Sequence, residues 1–352
     1  MNSVEPAAAA ALFQQILPRV SRSFYLSLWV LPRPVRPALG LAYLFCRAAD
    51  TIADTAIVPR DRRQTYLERY RTAFAENDAT AVRHLQHDLH ELTDHQQNPS
   101  ERALLTHLPE CFTLLATQTV DDQRRIRELV LTLTQGMQMD LSVFPAEEEG
   151  KVVALETRAD LDRYTYFVAG CVGEFWTKIT VAHLPTLQHW DVAAMAIKGV
   201  RFGKGLQLTN ILRDLAHDAR IGRCYLPRVD LAALGVRPEE VLQAGTLERV
   251  RPLIDELLDL TLSHYREGWA YTLAIPRREW RLRLACAWPL LIGVSTLTAI
   301  RHSSRLLDPR ARVKIARAQV YGILLRSLLT VWSDRALDRY YGQLCKGVGI
   351  VG

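Results

Sequence analysis

Apolar residues recur at three- and four-residue intervals along almost the whole chain, and runs of strict alternation are nearly absent. That period belongs to helices, because side chains three and four apart share a helix face. AALFQQILPRV (10–20) reads as a helix. A fresh Ser-Arg-Ser start follows, then an apolar segment broken by Pro32, Pro34 and Pro37. ALGLAYLFCRAADTIADT (38–55) reads as a long buried helix, while TYLERYRTAFAEN (65–77) and RRIRELVLTLTQGMQMDLSVF (124–144) have amphipathic spacing. Residues 144–162 form a polar connector with a helix start near its end. RYTYFVAGCVGEFWTKITVAHL (163–184) is apolar nearly all round and predicts a central helix, as does 196–218. Further helical patterns cover 247–274, 280–302 and 315–341. His84 to Ser100 is polar and rich in His and Gln, and reads as a surface loop. No stretch looks like a linker and no repeat has a fixed period. The expectation is one all-α domain over 1–352, a bundle of about a dozen helices.

Composition changes this picture only at the margins. The chain has 352 residues, 49% of them hydrophobic, which is ample for a core. The net charge of +6 admits anionic lipid, phosphorylated substrates or nucleic acid as partners. The basic residues are scattered rather than run together, so nucleic acid is not expected. The six cysteines show no metal-ligand or disulfide spacing and suit a reducing cytoplasm. The start lacks a basic segment, so no secretory signal is expected. The longest charge-free apolar run, Leu284 to Ile300, holds Pro289, Gly293 and Ser295 and reads as a core helix.

Four aspartate pairs have D-x-x-x-D spacing, which puts both carboxylates on one helix face: Asp50/Asp54, Asp214/Asp218, Asp255/Asp259 and Asp334/Asp338. The last two read as solvated. Asp255/Asp259 lies on an amphipathic surface pattern without polar partners, and Arg335 and Arg339 flank Asp334/Asp338. The first two lie in apolar segments. Arg47 precedes Asp50; Gln207, Asn210 and Arg213 precede Asp214; Arg220 and Arg223 follow Asp218. A buried salt-bridge network would satisfy such groups. So would Mg²⁺ (or Mn²⁺), a hard cation held by a few carboxylates and substrate phosphates. Arginines suit a diphosphate. A diphosphate neutralised in this way leaves behind a carbocation, and apolar walls such as VAGCVGEFW would protect an allylic one.

At these residues the chain resembles the squalene/phytoene synthase family of head-to-head prenyl transferases, over about residues 12 to 330. SRSFYLSLWVLP (21–32) is similar to the family's first block and implies a diphosphate contact at Arg22, with Ser21 and Phe24 beside the substrate. CRAADTIAD (46–54) resembles the first aspartate-rich motif, implying Arg47, Asp50 and Asp54. RYTYFVAGCVGE (163–174) implies catalytic Tyr164, with Val168, Ala169, Gly170 and Gly173 along the lipid-chain cavity. GLQLTNILRDLAHDARIGRCYLP (205–227) implies Gln207, Asn210, Arg213, Asp214, Asp218 and Arg223, with Asn210 among the metal ligands. Two positions depart from the pattern: Ala53 stands where many squalene synthases have an acid, and His217 interrupts the second motif. CAWPLLIGVSTLTAI (286–300) and RVKIARAQVYGILL (312–325) resemble squalene-synthase blocks, implying NADPH contacts at Lys314 and Arg317.

The resemblance implies a farnesyl-diphosphate farnesyltransferase that makes presqualene diphosphate and reduces it to squalene. The alternatives are a phytoene or dehydrosqualene synthase without a reductive step, or a synthase that stops at presqualene diphosphate. The membrane anchor of eukaryotic squalene synthases is not expected, whereas peripheral contact with the inner membrane face is compatible with the charge. Oligomeric state is not specified by any of these residues.

Overall fold

The structure is a computed structural model that describes residues 12–21, 25–55, 57–76, 79–144 and 150–349. It is all-helical apart from one two-residue strand pair. A π-turn, Leu12–Ile16, leads into α1 (Leu17–Ser21), followed by α2 (Tyr25–Val30) and α3 (Arg36–Asp54). Then come α4 (Arg60–Glu76), α5 (Ala79–His95), α6 (Pro99–Thr106), α7 (Leu108–Ala116) and α8 (Val120–Val143). After β1 (Val153–Ala154) the chain forms α9 (Arg158–Thr165), α10 (Cys171–His183), α11 (Val192–Arg220) and β2 (Arg223–Cys224). It ends with α12 (Arg228–Ala233), α13 (Thr246–Ala274), α14 (Trp280–Arg301), α15 (Arg317–Thr330) and α16 (Asp334–Lys346).

Two apolar cores flank the middle of the bundle. One gathers α3 to α8 with α10; Phe45 packs edge-on against Phe74 with centroids 4.8 Å apart and tilts against Phe112 at 5.0 Å. Burying side chains of this size stabilises by about 1.5–3 kcal/mol each. The other core gathers α11, α13, α14 and α16 around Leu258, Tyr265 and Leu291. The apolar window around α14 is long enough to cross a membrane, but 78% of it is buried, its residues shared between the two cores.

Local signals explain the elements that position the site. The connector does end in a helix start: Thr157 accepts from the Asp160 amide, and Asp160 accepts from that of Thr157, which satisfies two otherwise orphaned donors. Residues 163–184 are not one regular helix. A π-turn at Tyr166–Gly170 interrupts them and rotates the following face relative to Tyr164. Beyond it α10 crosses α11 at very close range. A Cβ on Gly173 would lie 1.9 Å from the Gly199 carbonyl oxygen, so only glycine permits the approach. At the end of α11, Gly222 adopts φ +86°, which turns the chain back so that β2 pairs in parallel with β1.

The expected loop at His84–Ser100 is instead most of α5, three coil residues and the start of α6. Leu85, Leu89 and Leu92 are buried at helical spacing, and that burial outweighs the polar composition. The expected 315–341 helix is two. It breaks after Thr330, and Ser333 caps α16 by accepting from the Ala336 amide.

Candidate functional site

A polar cleft of about 430 Å³ opens between α3, α8, α9 and α11. α3 contributes Tyr43, Cys46, Arg47, Asp50 and Asp54; Gln207 and Asn210 come from α11, and Arg223 from β2. The strand pair holds Arg223 in place, since Val153 N donates to Gly222 O and Leu155 N to Cys224 O. The Arg223 guanidinium then sits 3.5 Å from Asp54 and 3.8 Å from Asp140. Burial opposes its charge, but Asp54, Tyr225, Asp140 and Tyr164 outweigh that and hold its pKa above the ordinary value.

Asp140 lies at the floor, its side chain only 15% exposed. Tyr164 and Tyr225 each donate to its Oδ2 at 3.0 Å, and their rings stack with centroids 4.8 Å apart. Among the described residues its Oδ1 has no hydrogen-bond partner. Burial pushes the Asp140 carboxyl up to about 7 despite the opposing pull of Arg223 and both phenols. Burial, then Asp140, also raises Tyr164 well above the usual phenol range, so it stays a donor.

Asp218 is likewise pushed up to about 7, by burial first, then by repulsion from Asp214, with Asp140 and Asp54 adding to it. Asp54, Asp140 and Asp218 thus share one field with Arg223 between them. Asp50 is held by Arg47 at 2.5 Å, and Arg47 also bonds Glu101 of α6. Asp214 is bound by its neighbour Arg213, with Nε 3.0 Å from Oδ1.

Val168 joins the cleft to an apolar cavity of 150 Å³ that Ala169, Gly173, Trp176, Phe202 and Leu206 also line. Gly170, expected there, instead packs against Val200 and Lys204 of α11, because the π-turn rotates it away from the cavity. Leu206 and Pro289 continue into an apolar passage of 280 Å³, which Asn210 and Arg213 also border.

A profile of the squalene/phytoene synthase family matches residues 17–319. The chain belongs to the squalene/phytoene synthase family. It is 31% identical, over 86% of its length, to a bifunctional lycopene cyclase/phytoene synthase of Pyrenophora tritici-repentis, of which that match covers 47%. It is 26% identical to a presqualene diphosphate synthase of Rhodopseudomonas palustris, over 86% of this chain and 92% of the relative. The chain therefore spans under half of the bifunctional relative. Among solved structures, a ligand complex of TcSQS superposes with a TM-score of 0.75 at 19% identity, covering 97% of this chain and 99% of that one. A dehydrosqualene synthase complex gives 0.58 at 22% identity, covering 93% and 97%. The helical fold is the fold of this family.

Several residues implied by the family resemblance meet in the cleft: Arg47, Asp50, Asp54, Tyr164, Gln207, Asn210 and Arg223. Arg22 and Phe24 lie outside the described residues. Ser21 is buried and spends its hydroxyl on Leu17 O at 2.6 Å. Lys314, in the irregular stretch before α15, and Arg317, its first residue, are exposed and line neither cavity nor the passage. Ala53 lines the cleft without a charge, and His217 is exposed.

Asp140, Tyr225 and Glu101 join these residues without belonging to any aspartate pair. For Asp140 a signal exists: Leu133, Met137, Asp140 and Leu141 share one face of α8, where a lone acid interrupts an apolar stripe.

The solvated pairs also differ from expectation. Asp255 and Asp259 do have a partner, Arg301 of α14, at 3.9 and 2.5 Å. Asp334 is neutralised by Arg277 and the fully buried Arg283, at 2.6 and 2.5 Å, rather than by Arg335. Asp338 accepts from Trp269 Nε1. Asp334 and Asp338 thus take their partners from other segments of the chain rather than from the arginines that follow them.

Proposed function

We propose that the protein is a Mg²⁺-dependent farnesyl-diphosphate farnesyltransferase. It joins two farnesyl diphosphates head to head into presqualene diphosphate and, with NADPH, carries that product to squalene. The observation that supports this most is the junction at Val168 of a carboxylate- and arginine-lined cleft with an apolar cavity.

The donor set fits a hard cation: aspartate and asparagine oxygens, with carboxylates whose mutual repulsion a cation would relieve. Among the described residues no three acidic, His or Cys side chains converge enough to hold an ion alone. Asp50, Asp54, Asp214, Asp218 and Asn210 would therefore share Mg²⁺ or Mn²⁺ with diphosphate oxygens and water. When bound, the ion neutralises charge on the departing diphosphate.

Arg47, Arg213 and Arg223 orient that diphosphate, with Arg22 as a further candidate. The allylic cation left on one chain is attacked by the double bond of the other. Ring closure releases a proton, so two substrates give presqualene diphosphate, diphosphate and H⁺. Tyr164 and Tyr225 remain protonated and hold the Asp140 carboxyl beneath the cleft. Val168, Ala169 and Gly173 form an apolar wall that keeps water from the cation. Lys314 and Arg317, two exposed cations, suit the phosphates of NADPH, which when bound supplies the hydride for the reductive half.

Mass spectrometry of the products from farnesyl diphosphate and Mg²⁺, with and without NADPH, tests this. Squalene only with NADPH, and presqualene diphosphate without it, is the expected result. No coupled product under either condition would overturn it. The position of Lys314 and Arg317 away from the cavities, and the similarity to a presqualene diphosphate synthase over 92% of that protein, favour a second reading that stops at presqualene diphosphate. Indifference to NADPH would select it. Phytoene from a C20 diphosphate would move the assignment to the other branch of the family.

A further inference from the structure

The face built by α2, α14 and α15 exposes large apolar side chains in one continuous patch. Tyr321, Leu325, Leu328 and Leu329 are exposed along α15, and Trp332 follows just past its end. They recur at helical spacing as a stripe opposite the buried Ile323 and Ser327. Leu329 is 73% exposed and Trp29 of α2 is 60% exposed. Trp332 packs against Trp280 with centroids 5.4 Å apart, and α2 packs on α14, so the stripe continues onto α2.

The rim of this patch is basic. Arg281 lies 5.1 Å from the Trp280 ring, and Arg36 donates to the carbonyls of Trp29 and Leu31. Burial, then the nearby Arg281 and Arg33, push the Arg36 pKa below its ordinary value. Three guanidinium groups therefore converge beside the tryptophans. α15 itself carries Arg317 and Arg326 and no acid.

The patch also meets the interior. Leu26 and Leu324, at its edge, line the 280 Å³ passage that reaches Asn210 and Arg213. A run of exposed Trp, Tyr and Leu beside arginines matches the requirements of a bilayer interface: aromatic rings at headgroup depth, aliphatic side chains below, and cations against anionic phosphates. A second copy docked about a two-fold axis would bring the same arginine clusters toward each other, which disfavours self-pairing.

We infer that the α2–α14–α15 face docks on an anionic bilayer, with the mouth of the passage facing lipid. Docking rests on the surface alone. Use of the passage by an apolar product rests on the function proposed above.

Co-sedimentation of the full chain with phosphatidylcholine vesicles, with and without phosphatidylglycerol, tests the inference. Binding should require phosphatidylglycerol and weaken with added salt. The double variant Leu325→Asp/Leu329→Asp should lower the partition coefficient roughly tenfold or more, because two side chains leave the interface. Val120→Asp changes an equally exposed apolar residue on α8, a helix that packs against α3, α4 and α10, and should leave binding intact. Circular dichroism should be unchanged in both variants. Wild-type binding to neither vesicle, or undiminished binding of the double variant, would overturn docking. So would a dimer in solution that the double variant dissociates. Turnover of detergent-dispersed farnesyl diphosphate should survive in the double variant. A wild-type chain that binds vesicles but never turns over would leave docking in place and overturn the function.

Discussion

Four aspartate pairs share one spacing, yet two of them are balanced and two are not. Asp255/Asp259 is answered by Arg301, and Asp334 by Arg277 and Arg283, so those carboxylates are tied to neighbouring helices. Asp50/Asp54 and Asp214/Asp218 also have arginines, but Asp50 and Asp54 line a cleft that adds Asp140, and Asp218, outside that lining, feels the charge of Asp214, Asp140 and Asp54. There acids crowd acids, and two carboxyls are held near neutral pH by burial and mutual repulsion. Spacing places two charges on one face; the surrounding charge balance decides whether a pair staples helices or is left with excess negative charge.

The largest effect should come from unbalancing the cleft. Asp54→Asn or Asp218→Asn should lower turnover of farnesyl diphosphate by on the order of 10²–10³-fold or more, measured as diphosphate release, with the helical circular dichroism retained. Asp140→Asn, which touches Tyr164 and Tyr225 rather than facing them across the cleft, should cost about 10–100-fold in the same assay.

The balanced pairs should respond in the opposite way. Asp334→Asn leaves the buried Arg283 short of its counter-charge and should destabilise the fold by about 2–3 kcal/mol in urea denaturation, discounted for the half-exposed carboxylate, with turnover unchanged. Asp259→Asn, a more exposed partner, should cost no more than about 1 kcal/mol by the same measurement.

The comparison also has a pH signature. Asp140 and Asp218 have folded pKa values raised to about 7 from 3.8, so their contribution to stability is complete below about pH 4 and is lost as pH rises through about 7. Thermal melts without Mg²⁺ should therefore lose stability between pH 5 and pH 8 (about 4 to 7 being the titration window). Mg²⁺ should restore more of the melting temperature at pH 8 than at pH 5, because only the ionised carboxylates bind it. Asp140→Asn should flatten the metal-free profile.

Much of the architecture was legible because long helices repeat their apolar face many times. α3, α11, α13 and α14 carry that signal over many turns and appear where expected. The failures have physical causes. In α5 three buried leucines are diluted among His, Gln and Asp, and composition obscured the period. The break at Val331 to Ser333 depends on a single capping serine. At the site, paired aspartates announce themselves, while Asp140 is a lone acid whose partners, Tyr164 and Tyr225, are 24 and 85 residues away. The partners of the balanced pairs are equally remote: Arg301 reaches Asp259 across 42 positions. Charge balance is a tertiary property, and no local pattern records it.

The central claim is that the unbalanced cleft, and not any aspartate pair, carries the condensation. The most direct measurement is Mg²⁺-dependent diphosphate release from farnesyl diphosphate without NADPH, compared among wild type, Asp54→Asn and Asp334→Asn. One diphosphate should appear for every two substrates consumed by wild type and by folded Asp334→Asn, and almost none from Asp54→Asn. Equal release by all three proteins would contradict that claim.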